Sequence, residues 1–152
     1  MPNLNCAVGE MAAAFSCNNN IGAGEKESIK NLLNKAGLAL EVEEGKMDAV
    51  TALSGSGPAF IAYILDAFAK AGEKQGLSRG ISYSLALQTL FGTAKLLKET
   101  GEKPDSLIKR VASPHGTTTA GLNVLEKSGI SPIIEKAIEA AAKRSKELGK
   151  DE

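Results

Sequence analysis

Between Ala59 and Ala69 the chain reads Ala-Phe-Ile-Ala-Tyr-Ile-Leu-Asp-Ala-Phe-Ala, and Asp66 is the one charge in that run. Pro58 stands where its fixed φ and missing N–H suit the first position of a helix, and Gly76 stops it, so one helix is predicted from Pro58 to about Gln75. A helix without a polar face is buried on every side. A chain of 152 residues amounts to one domain, and its few other helices can hardly cover all of that surface. The run therefore predicts contact with a second subunit.

The remaining pattern is mostly helical. Ile29, Leu32, Leu33 and Ala36 lie on one face of a helix over 25–36 that Gly37 stops. The imperfect alternation of Leu38 to Val42 suggests a short strand, paired with Ala12 to Ser16. Lys46 to Leu53 forms a short helix that Ser54-Gly55-Ser56-Gly57 is expected to break. Ser78 caps a long helix from Arg79 to about Thr100, with Ile81, Leu85, Leu90, Ala94 and Leu97 on a helical repeat and Gly101 beyond its end. Pro104 opens the next helix, which ends before Ser113-Pro114 because a residue preceding proline leaves the helical region. A helix follows from about Thr118 to Lys127. Ser131-Pro132 then repeats the cap and first-position pattern for a helix to about Leu148, with Ile134, Ala137, Ile138 and Ala141 inward. The class is all-α, a helical bundle with an irregular or short-strand N-terminal arm. Aromatics make up 4% of the chain and Trp is absent, so the contacts are built from Ala, Leu, Ile and Val at close helix spacing.

Charge and cysteine content exclude several functions. Eighteen basic and eighteen acidic residues cancel without blocks of like sign, which gives no electrostatic basis for binding nucleic acid or an anionic membrane. Cys6 and Cys17 have neither zinc-type nor redox-type spacing, so no metal site is expected and a reducing, cytoplasmic setting fits. The apolar run from Pro58 to Ala69 is shorter than the ~20 residues of a membrane span, and the N-terminus lacks the pattern of a secretory signal.

Three loops invite a chemical reading. Gly22-Ala23-Gly24 begins like a dinucleotide fingerprint but lacks its third small residue, so it reads as a turn. Gly55-Ser56-Gly57-Pro58 lacks the Lys-Ser/Thr ending of a phosphate loop, which leaves a tight helix connection, the favoured reading, or a direct contact with a ligand. Ser113-Pro114-His115-Gly116-Thr117-Thr118-Thr119 enters a helix, where free N–H groups, the positive dipole end and hydroxyls converge. Two readings fit it: ordinary capping of a helix, or a site for a small anion.

Taken in order, Met1-Pro2-Asn3, the segment Met47 to Phe60 with its Ser-Gly-Ser-Gly-Pro-Ala, and Ser113 to Gly121 resemble the C-terminal part of pyrroline-5-carboxylate reductase. The resemblance runs from residue 1 to about residue 149. That enzyme family reduces a cyclic imino acid to proline with NADPH or NADH. The resemblance implies an intertwined homodimer, with residues 1–24 as a stub and arm following a cofactor domain and 25–152 as the helical dimerisation and substrate domain. It further implies that Ser113 and the N–H groups of Gly116 and Thr117 receive the substrate carboxylate. Thr118 is placed at the ring nitrogen as the catalytic hydrogen-bonding position, and Asn3 lies beside the nicotinamide. Leu4-Asn5 departs from the family's Thr-Pro, and His115 replaces a common glycine. His115 is either a bystander in a surface loop or a local acid. Two other functions fit the chain: a non-catalytic oligomerisation module of the same fold, and a reductase of another small imine.

Overall fold

The computed structural model describes residues 1–150. It is 73% helical, with two short strands near the N-terminus, the second of them beyond the expected arm of residues 1–24, which gives the expected all-α class. The chain divides into two compact units, Met1–Ile61 together with the chain from Ile134, and Ala62–Ile133.

In the first unit, β1 (Met11–Phe15) runs parallel to β2 (Gly37–Glu41), with Met11 opposite Gly37 and Phe15 opposite Glu41. The strands match the two expected segments to within a residue. Their parallel direction requires a crossover, supplied by α1 (Ala23–Leu33) and a single 3₁₀ turn, Asn34–Ala36. Met11, Ala13 and Ala39 form a small core against which Phe15, Leu33 and Ala36 pack. Gly37 makes the turn into β2 at φ 146, and a Cβ there would fall on the backbone of Met11.

The expected break at Ser54-Gly55 does not occur. A short α2 (Met47–Val50) widens into a π-turn over Thr51–Gly55, and α3 (Gly57–Lys74) continues beyond it. Ser56 keeps helical dihedrals and its N–H reaches Thr51 O, the five-residue span of a π-turn. Glycine and serine are tolerated here because the wider turn absorbs them without reversing the chain. The joined stretch Glu44–Lys74 spans 31 residues and, by length and composition, is apolar enough to cross a membrane. That corrects the sequence expectation, which counted only the run from Pro58. Along α3, Ile61, Tyr63 and Phe68 are exposed and Ala69 is buried.

In the second unit, Ser78 caps α4 (Arg79–Thr100) by accepting from Ile81 N, and Gly101 ends it in the left-handed region. Gly72 of α3 meets Ser82 of α4 so closely that a Cβ would stand 2.8 Å from Ser82 Oγ. The buried residues of α4 are Ser82 and Ala86, not the apolar repeat read from the sequence. Ile81, Leu85 and Leu96 lie exposed on one side; Tyr83, Leu87 and Phe91 lie exposed about 150° around the axis. Then come α5 (Pro104–Val111), α6 (Thr117–Lys127) and α7 (Ile130–Leu148). Ser131-Pro132 does not cap α7 as expected. Gly129 turns the chain at φ 68 and α7 begins at Ile130, so Pro132 sits in a first turn where its missing N–H has no intrahelical partner to lose. Ile134, expected to face inward, is 46% exposed.

Among the described residues, the buried apolar ones are Met11 and six alanines, Ala13, Ala14, Ala39, Ala52, Ala69 and Ala86. Because Gly37 combines positive φ with contact against the Met11 backbone, Gly37→Ala is expected to destabilise the first unit by roughly 3 kcal/mol. Urea titration followed by circular dichroism measures it; an unchanged midpoint would contradict the geometry.

Candidate functional site

Val111 ends α5, Ala112 is extended, and the turn from Ser113 to Gly116 leads into α6. The Ser113 carbonyl accepts from two donors, Gly116 N at 3.0 Å and Thr119 Oγ1 at 2.6 Å. His115 carries the one positive φ outside glycine among the described residues, at 60°. Asn, Asp and His tolerate that region better than branched residues do, but glycine adopts it without strain. A Cβ at Gly116 would fall on Ser113 Oγ, so a side chain there would turn that hydroxyl away. Having no side chain, Gly116 gives α6 no capping oxygen, so the N–H groups of Thr117, Thr118 and Thr119 have no intrahelical acceptor.

The turn thus brings together Ser113, Gly116, Thr117 and Thr118, as the sequence proposed, with one change of part. Gly116 N–H is already bonded to Ser113 O, so the open donors begin at Thr117. Thr119 was missed. Its hydroxyl closes the turn across six residues, and nothing in a run of three threonines says which one folds back.

Asn3 belongs to the first unit and is 8% exposed. Phe15 O accepts from Val42 N, so by alternation the even residues of β1 direct their backbone groups away from β2. Ala14 exchanges both its hydrogen bonds with Met1: Met1 N donates to Ala14 O at 2.7 Å and Ala14 N to Met1 O at 3.1 Å. Ala12 N donates to Asn3 Oδ1 at 3.1 Å, Ser54 Oγ donates to Ala12 O, and Asn3 Nδ2 donates to Ser54 O at 3.2 Å. Asn3 and Ser54 therefore satisfy the outer edge of β1 and fasten the π-turn to it. The sequence placed Asn3 beside a nicotinamide; here its amide oxygen and one amide hydrogen are engaged within the fold, which leaves the second hydrogen for any ligand. Ser54 carried no signal of this role beyond its place in the Ser-Gly-Ser-Gly motif.

The order β1, α1, β2 is a βαβ unit with Gly22-Ala23-Gly24 at the helix start, the arrangement that elsewhere cradles a pyrophosphate. Here Gly22 N donates to Glu25 Oε2 at 2.9 Å, so a carboxylate of the chain occupies the helix start. These residues do not fit a dinucleotide. Two open grooves lie elsewhere. One, about 510 Å³, is bordered by Ser16, Cys17 and Glu41 to Glu44. The other, about 470 Å³, lies in the second unit between Asp66, Ala69, Lys70, Glu73, Arg79 and Tyr83. In it, the hydrogen bond to Asp66 holds the Lys70 ammonium above the usual lysine range. Neither groove is bordered by the 113–119 turn.

The sequence pattern of the family described as pyrroline-5-carboxylate reductase dimerisation matches residues 44–148. A pyrroline-5-carboxylate reductase of Synechocystis is 45% identical over 150 residues, covering 99% of this chain and 56% of the relative. One from Bacillus subtilis is 42% identical over 151 residues, covering 99% and 51%. Among solved structures, a pyrroline-5-carboxylate reductase of Coxiella burnetii superposes with a TM-score of 0.94 at 34% identity, over 97% of this chain and 55% of that one. The pyrroline carboxylate reductase of Plasmodium falciparum, solved with NADP bound, gives 0.85 at 36% identity, over 98% and 61%. The chain spans about half the length of the curated relatives it matches, and the match falls on their C-terminal part. On these likenesses, and on the helices that they share, the chain belongs to the pyrroline-5-carboxylate reductase dimerisation family.

Proposed function

We propose that these residues form the substrate-holding and subunit-joining part of an NAD(P)H-dependent pyrroline-5-carboxylate reductase, which reduces a cyclic imino acid to proline. The observation that carries this reading is the Ser113–Thr119 turn, with three open N–H groups and a cluster of hydroxyls at the start of α6, in a chain whose residues 44–148 match the family. The N–H groups of Thr117 and Thr118 hold the substrate carboxylate, aided by the positive end of α6. Ser113 flanks that position, and Gly116 contributes by its lack of a side chain. The Thr118 hydroxyl stands at the ring nitrogen and orients the imine; a threonine hydroxyl is too weak an acid to do more than hold or pass on a proton there. Fixing the ring in this way presents one face for hydride transfer, and orientation of this kind supplies a large share of an enzymatic rate. The nicotinamide is held elsewhere in the enzyme, with Asn3 at its edge. A homodimer, formed through α3 and α4, covers the apolar faces that the single chain leaves exposed.

In the full-length subunit, Thr118→Ala is expected to lower kcat/KM by about tenfold or more. His115→Gly, which relieves a positive φ, is expected to leave kcat/KM within about twofold and to raise stability by up to about 1 kcal/mol. Steady-state kinetics giving the opposite ranking would place the proton chemistry on the histidine. The 152 residues by themselves are expected not to oxidise NADH or NADPH in the presence of pyrroline-5-carboxylate, as followed at 340 nm, and to gain turnover when joined to a dinucleotide-binding domain. Turnover by the rigorously purified 152-residue chain would overturn the placement of the cofactor.

A further inference from the structure

We propose that Thr119 is a positioning residue for the carboxylate-holding turn, an inference that rests on the reading of that turn given above. Its hydroxyl donates to the Ser113 carbonyl at 2.6 Å, and the same carbonyl accepts from Gly116 N at 3.0 Å. One oxygen thereby ties the entrance of the turn to the first turn of α6. One feature of the turn is unfavourable without such a tie: His115 is held at a positive φ that a non-glycine residue avoids. Such conformations persist where the surroundings over-determine them.

The Thr119 hydroxyl is directed back at Ser113 and not outward, so it acts on a substrate through the backbone: it sets where Ser113 Oγ and the N–H groups of Thr117 and Thr118 stand. Loss of the tie loosens carboxylate binding in ground state and transition state alike, which raises KM and leaves kcat.

Thr119→Val keeps the branched shape and removes the donor; Thr119→Ser keeps the donor. In the full-length subunit, Thr119→Val is expected to raise KM for the imino acid about fivefold, with kcat and the KM for the nicotinamide cofactor within about twofold, and Thr119→Ser to restore it. Amide hydrogen exchange at Gly116, whose N–H shares the Ser113 carbonyl, is expected to quicken in Thr119→Val and recover in Thr119→Ser. An unchanged imino-acid KM in Thr119→Val, a serine variant as impaired as the valine one, or unchanged exchange at Gly116 would overturn the proposal. A full-length subunit with no imine reduction at all overturns the carboxylate reading on which it rests, while the exchange measurement still decides whether Thr119 holds the turn.

Discussion

The fold depends on apolar surface that one copy of the chain does not cover. Burial of large side chains is the principal favourable term in folding, and here the buried apolar set is one methionine and six alanines. Against it stands the cost of fixing each residue's backbone, about 1–2 kcal/mol. On α4 the chain covers only the narrow face of Ser82 and Ala86 and leaves large apolar residues on two well-separated sides. A single flat contact covers one side of a helix; two sides require the helix to lie among neighbours, which is what the proposed intertwined dimer would provide. The proposed dimer would account in the same way for the length and composition of the stretch from Glu44 to Lys74, which match a membrane-crossing helix, since an interface between obligate partners is a core divided between two chains.

Close packing within the second unit follows from small residues. Gly72 admits Ser82, and the Ser82 hydroxyl is buried there without a hydrogen-bond partner. An unsatisfied hydroxyl is unfavourable by about 1–3 kcal/mol, so the approach of α3 to α4 at this point must be compensated by packing elsewhere. In the first unit, polar side chains do the opposite work. Asn3 and Ser54 complete the edge of β1, and an edge satisfied by side chains is closed to the strand pairing that open edges invite.

Much of this was legible in the sequence because it is encoded locally. Ser78, Gly101, Pro104 and Gly76 mark helix ends through their own dihedral and hydrogen-bonding limits, and the structure places the ends there. What depends on which of several alike residues pairs or turns was not legible. The sequence takes Ser54-Gly55 for a break, because the signal of two glycines among serines is the same for a reversal and for a π-turn. It takes Ser131 for a cap, although Gly129 at φ 68 had already ended the preceding helix. The candidate turn was found by its residue types, but that Gly116 N–H faces inward, and that Thr119 is the threonine that folds back, follow only from the path of the backbone.

Sedimentation of the chain across a range of concentrations, with thermal unfolding recorded on the same samples, tests the dependence on a partner most directly. The expected result is a dimer at micromolar concentration whose melting temperature rises with protein concentration, as for folding coupled to association. A folded monomer with a concentration-independent melting temperature would contradict it, since such a monomer would have to be stable with α4 exposed on two sides.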